Sequence, residues 1–149
     1  MVRFVPASNW NGSAPTLTVA LIDSSATVTT GTLDVSTRGS TTAYSSSTVD
    51  LSHTVTAVND APVASGSASL AAINEDASNP SGSTVSSLFT SNFSDATDAV
   101  TSGSSANTLA GVAITSYTAD AAKGTWQYST NSGTTWTAIT SISSASSAL

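Results

Sequence analysis

Apolar residues in this chain recur with a period of two, and that pattern constrains the fold more than any other feature. Leu17, Val19 and Leu21 alternate with Thr16, Thr18 and Ala20, and Val49, Leu51, Val55 and Ala57 alternate with Asp50, Ser52, Thr54 and Thr56. Such spacing places successive side chains on opposite faces of an extended strand, whereas a helix needs apolar groups three and four apart. In a third stretch Trp126 and Tyr128 share one face, Asn131-Ser132-Gly133 supplies a turn, and Trp136 and Ala138 continue on a partner strand. That order of residues reads as a hairpin. Residues 109–117 and 63–73 are further strand candidates, diluted by alanine and glycine. Only residues 85–93 hold a short helical turn, with Leu88 and Phe89 packing inward. Elsewhere β-branched residues dominate, and Ser and Thr hydroxyls compete with helical hydrogen bonding. Many short strands with frequent turns predict an all-β, antiparallel sandwich.

Composition narrows the function. The chain has 149 residues, of which 8% are charged, and Ser and Thr together make up more than a third. Much of the 39% hydrophobic fraction is alanine, so large core-forming side chains are scarce and the expected core is thin. Three basic residues, Arg3, Arg38 and Lys123, stand against nine acidic ones, for a net charge of -6. This balance excludes the basic footprint of a nucleic-acid binder and the polybasic patch of a protein held on anionic lipid. No apolar run reaches membrane-spanning length, so no membrane insertion is expected. Cysteine is absent, which fits a secreted protein stabilised without disulfides and equally a cytosolic one.

Asn59-Asp60-Ala61-Pro62 interrupts the alternation midway. Proline removes a ladder donor and holds the preceding residue extended, so residues 59–62 read as a joint between 1–58 and 63–149. Residues 1–58 alone are few for an independent core.

The residues around this joint resemble a known family. Thr56-Ala57-Val58-Asn59-Asp60-Ala61-Pro62-Val63 is similar to the junction of cadherin-like tandem repeats in giant secreted bacterial adhesins. Downstream the match continues through Asn74-Glu75-Asp76, Phe93-Ser94-Asp95-Ala96-Thr97-Asp98 and Gly124-Thr125-Trp126-Gln127-Tyr128-Ser129. Upstream, Arg3-Phe4-Val5-Pro6, Asn9-Trp10-Asn11-Gly12 and Leu21-Ile22-Asp23 resemble late segments of the same repeats. The resemblance implies an immunoglobulin- or cadherin-like sandwich in an extender region at the bacterial cell surface, with calcium stiffening the joints between repeats. Calcium takes six to eight oxygen ligands, enough to lock a short linker when both neighbours contribute. The residues matching the pattern are Asn59 and Asp60, Glu75 and Asp76, Asp95 and Asp98, with Asp23 as an addition. The chain departs from cadherin joints at Ala57, where they carry Asp, and at Ala61, where they carry Asn.

In the family's order the junction opens a repeat and the Arg3-Phe4-Val5-Pro6 type of segment comes late. Residues 1–58 therefore read as the C-terminal part of one repeat and 63–149 as the N-terminal part of the next, with Ala148-Leu149 running on into Met1-Val2 of a neighbour. Each part is expected to complete its sandwich with a neighbouring copy, head-to-tail, leaving strand edges and apolar side chains uncovered in the single chain.

Other signals point less far. Ser129-Thr130-Asn131-Ser132-Gly133-Thr134-Thr135-Trp136 is similar to the Asp-box hairpin of sialidase-like propellers, with Asn131 in place of Asp, but a propeller needs several such blades. His53, the single histidine, falls on the apolar phase of its strand and reads as a packed side chain. That leaves neither a Ser-His-Asp arrangement nor a zinc site. Paired carboxylates among Glu75, Asp76, Asp95 and Asp98 are conceivable for glycoside hydrolysis, yet nothing separates them from calcium ligands, and no enzyme is read here. Asn11-Gly12-Ser13 and Asn92-Phe93-Ser94 fit glycosylation sequons. The expected function is a structural spacer. The alternative is a carbohydrate- or ice-binding module acting through the Ser/Thr-rich tract 24–48 or through Trp10. The threonines Thr27, Thr29, Thr30, Thr32, Thr37, Thr41 and Thr42 lack the fixed period of an ice-binding solenoid.

Overall fold

The computed structural model describes residues 1–28 and 30–143. Thr29 and the continuation through Ala148 and Leu149 lie outside the described residues. Among the described residues strand outnumbers helix, which is compatible with an all-β fold. Among the described residues the strands pair two at a time, in four separate antiparallel ribbons. The chain divides into two units. One holds Met1–Asp60 together with Thr97–Ala106; the other holds Ala61–Ala96 and the chain from Asn107 onward. The division falls between Asp60 and Ala61, inside the joint at 59–62, but the joint alone gives no reason for 97–106 to go with the first unit. The reason is a set of side-chain bonds described below.

In the first unit β1 (Gly12–Ser13) pairs with β4 (Thr54–Val55), and β2 (Leu17–Ile22) with β3 (Tyr44–Leu51). The alternating residues Leu17, Val19, Val49 and Leu51 lie on strands as the sequence implies, and the structure adds that these strands pair as the β2–β3 ribbon. Leu17 stands opposite Leu51 and Val19 opposite Val49, and directly opposed residues share a face. Thr18 and Asp50 oppose each other on the other face, where the Thr18 hydroxyl donates to Asp50 Oδ1 at 2.6 Å. The ladder shifts register between Ala20 and Ile22, where the Leu21 N–H donates to Ser45 Oγ at 2.9 Å. The apolar face is not covered: Leu17, Val49 and Leu51 are 47%, 49% and 51% exposed. Ala14, whose N–H donates to the His53 carbonyl at 2.9 Å, is the one buried apolar residue among those described.

His53 departs from its expected inward position. The strand breaks at Ser52 and His53, and the imidazole is exposed, its centroid 5.8 Å from the ring of Phe4. Phe4 also lies 6.0 Å from Trp10, which is half-buried.

In the second unit β5 (Val63–Ala64) pairs with β6 (Phe93–Ser94). The expected helical turn is α1 (Val85–Phe89), continued by a 3-10 turn over Thr90–Asn92, with Leu88 and Phe89 half-buried. Thr84 caps α1, its hydroxyl oxygen accepting the Ser87 N–H at 3.1 Å. The expected hairpin is β7 (Gln127–Tyr128) with β8 (Thr137–Ala138). Of the two diluted candidates, 63–73 forms only β5, and 109–117 contributes a single bridge from Tyr117 to Ile142.

The chain exposes 11858 Å². One compact globule of this mass would expose about 6,900 Å², and two of half the mass about 8,400 Å².

Candidate functional site

Two carboxylates are buried, Asp95 and Asp98, at 5% and 6% exposure. Both come from the motif Phe93-Ser94-Asp95-Ala96-Thr97-Asp98, and their surroundings differ. Burying a carboxylate is costly unless its oxygens meet donors or a cation.

Asp98 belongs to the first unit and ends the 3-10 turn Ala96–Asp98. Its Oδ1 accepts the backbone N–H of Asp60 at 3.0 Å, so the joint residue is held by a carboxylate 38 positions further along the chain. The Asp98 carbonyl accepts from the Val100 N–H at 3.1 Å and from the Ser104 hydroxyl at 2.5 Å. Ser104 in turn exchanges two bonds with Asn11. Its N–H donates to Asn11 Oδ1 at 2.8 Å, and its hydroxyl accepts from Asn11 Nδ2 at 2.9 Å. Gly103 allows this approach, since a Cβ there would stand 2.5 Å from Asn11 Oδ1 and 2.7 Å from the Asn11 carbonyl. These bonds attach Thr97–Ala106 to the first unit. Asn59 donates its side-chain amide to the Asp60 carbonyl at 2.8 Å.

Asp95 belongs to the second unit. Its Oδ2 accepts the Asn107 N–H at 2.5 Å, while Oδ1 is buried and has no hydrogen-bond partner. A buried carboxylate oxygen with no donor is chemically suited to a hard cation. Asp95 Oδ1 is thus the one predicted ligand atom here that is both buried and without a donor.

The remaining predicted ligands do not gather around these two. Glu75 and Asp76 are exposed in a turn in which Asp76 has a left-handed backbone, φ 61°. Asp23 is exposed and closes a local turn, its Oδ1 accepting the Ser25 N–H at 2.8 Å and the Ser25 hydroxyl at 2.5 Å. Those bonds, the hydroxyl first, hold its carboxyl below the usual aspartate range. Asp34 is lowered in the same way by Ser36, the backbone N–H first. Among the described residues no three Asp, Glu or His side chains converge. A calcium ligand set built on Asp95 would thus draw on oxygens other than a carboxylate cluster.

Both sequon asparagines are engaged. Asn11 holds Ser104, and Asn92 Nδ2 donates to the Ser65 carbonyl at 2.6 Å, with the Ser67 carbonyl at 3.4 Å.

Sequence reasoning did not find the groove in the second unit. Leu70, Ile73, Tyr117, Lys123, Trp126 and Trp136 are among the residues lining a cavity of about 710 Å³. The turn residues of the β7–β8 hairpin place Trp136 beside it. Asn131 Oδ1 accepts the Thr135 N–H at 2.9 Å and the Ser129 hydroxyl at 2.9 Å, and Asn131 Nδ2 donates to Thr135 Oγ1 at 2.9 Å. Gly82 meets the Trp136 ring so closely that a Cβ would come within 2.7 Å of it. The signal for the groove was present in the tryptophans, but its other wall, residues 70–83, carries no periodic pattern.

Among the described residues no helix is long and apolar enough to cross a membrane. No family model, curated protein or solved structure matches the chain.

Proposed function

We propose that this chain is a structural spacer module of a large extracellular bacterial adhesin or fibre, an immunoglobulin- or cadherin-like sandwich unit stiffened by calcium and set head-to-tail among neighbouring copies. The observation that carries the reading is the Asp95 carboxylate, buried with one oxygen lacking a donor. A spacer has to resist bending. A cation tying a buried carboxylate to surrounding oxygens supplies stiffness that a core this thin does not. Asp98 supports the reading from the first unit, because it anchors the joint through the Asp60 N–H. In this reading the module has no catalytic chemistry, and its acidic, weakly charged surface serves solubility.

Calorimetry of the chain in calcium and then in chelator tests the metal. At a hundredfold excess over the dissociation constant, binding to the native state alone adds about 2.7 kcal/mol, read as a higher melting temperature. Asp95→Asn keeps an acceptor for the Asn107 N–H and removes the unmatched charge. It is expected to melt no lower than wild type in chelator and to lose the calcium shift. Equal melting temperatures for wild type in calcium and chelator, or a full calcium shift in Asp95→Asn, would sink the calcium reading.

A further inference from the structure

The ribbon and the groove are both apolar and both uncovered, and they differ in form. On the ribbon, Leu17, Val19, Val49 and Leu51 make one flat aliphatic face on opposed strand positions, with no charged side chain among them. The groove is concave, about 710 Å³, with Leu70, Ile73, Tyr117, Trp126 and Trp136 in its lining. Trp126 is 56% and Ile73 65% exposed. The charged groups at the groove answer each other, Lys123 Nζ lying 3.1 Å from Asp120 Oδ2, which leaves no unmatched charge to recognise an ionic ligand.

We infer that the β2–β3 ribbon of one copy docks into the Trp126–Trp136 groove of the next. This rests on the head-to-tail reading above and names the two surfaces that carry it. The occupant follows from three observations. The chain, at 11858 Å², exposes about 3,500 Å² more than two compact units of its mass, a difference within the size range of the interfaces of obligate assemblies, about 2,000–5,000 Å². Leu17, Val49 and Leu51 on the ribbon and Ile73 and Trp126 at the groove are exposed, and exposed apolar residues gathered in a patch mark an association site. Each copy carries one donor and one acceptor of unlike form, so the contact is heterologous and passes from copy to copy. Neither surface carries an unpaired charge that would oppose burial.

The test is sedimentation of the full chain in chelator, so that its outcome is separate from that of the calcium experiment. It uses two variants at exposed positions, Val49→Lys on the ribbon and Ile73→Lys in the groove, each checked for native circular dichroism. Wild type is expected to grow into species larger than dimers as concentration rises, with a blue shift of tryptophan emission. Each variant alone is expected to remain monomeric. Mixed in equal amounts, they restore one intact ribbon and one intact groove, and the mixture is expected to stop at twice the monomer mass. Wild type that stays monomeric overturns the inference. So does a single variant that assembles like wild type, which points to a like-on-like contact. A mixture that stays monomeric overturns it too. Quenching of the Val49→Lys tryptophan emission by neutral oligosaccharides would assign the groove to sugar and equally overturn it. Loss of the calcium shift with assembly intact would leave the docking standing and remove only the metal.

Discussion

Asp23 shows how much of an acidic residue's role is local. Its carboxylate is exposed and takes two bonds from Ser25, which favour the ionised form and lower its pKa. A carboxyl with a depressed folded pKa contributes stability above its unfolded pKa and loses it as pH falls through the folded value. The Asp23 turn is therefore expected to hold at neutral pH and to loosen only at a pH below the ordinary aspartate range. Titration followed by NMR should place the Asp23 carboxyl below that range in wild type. In Ser25→Ala it should rise towards the usual value, because the hydroxyl bond, the larger cause, is gone. An unchanged titration in the variant would mean that Ser25 is not the cause. At this scale the family resemblance singled out Asp60, Asp95 and Asp98 together with Asn59, Glu75, Asp76 and Asp23, and the last four stand exposed. The sequence reading missed the partnership of Asn11 with Ser104, since two polar side chains 93 positions apart leave no local pattern.

Elements were legible where two signals agreed. Alternation together with β-branched content found β2, the end of β3 and, in the same run, β4, while alternation around a glycine-containing turn found β7 and β8. The start of β3 at Tyr44 and the break at Ser52 and His53 were not read. Asn131 organises that last turn through both ends of its amide. Asn131→Ala removes its three side-chain bonds at an exposed site, an expected loss of about 1–2 kcal/mol. Asn131→Asp keeps the two bonds accepted by Oδ1 and should lose less. Amide exchange at Ile139, whose N–H donates to the Trp126 carbonyl at 2.8 Å, reads both. Protection that survives in the alanine variant would show that the turn chemistry is not what fixes the hairpin. The shortness of the other strands was not legible. Alanine and glycine through 109–116 give neither β-branched stiffness nor packing area, so the extended potential there ends in one bridge at Tyr117. Nor was the register shift after Ala20 legible, because it depends on the Ser45 hydroxyl taking a backbone donor.

At the scale of the molecule, the scarcity of large apolar residues predicts a thin core, and Ala14 as the one buried apolar residue among those described gives the measure of it. What composition does not convey is where the uncovered apolar residues collect. Strand register gathers Leu17, Val19, Val49 and Leu51 on one ribbon face. The two-residue β7–β8 ladder, with Trp126 and Trp136 just outside it, sets both indoles at one groove. A residue period fixes which side chains share a face of a strand. It does not say whether another layer covers that face, and that depends on contacts distant in sequence.

The grouping of Thr97–Ala106 with Met1–Asp60 makes the backbone pass between the units three times, after Asp60, after Ala96 and after Ala106. The joint at 59–62 is thus one of three covalent links, and severing it leaves two peptides that share a folded unit. Residues 1–60 and 61–149 accordingly form a split protein, in which the second peptide contributes ten residues to the body of the first through Asn11–Ser104 and Asp60–Asp98. A chain cleaved at an engineered site after Asp60 is expected to elute as one species in native buffer and as two in denaturant. The separately made peptides should reassociate, and Asn11→Ala should weaken their affinity by roughly tenfold or more, the equivalent of about 1.4 kcal/mol or more. Peptides that separate in native buffer would show that the bonds to 97–106 are too weak to hold a unit together without the covalent link.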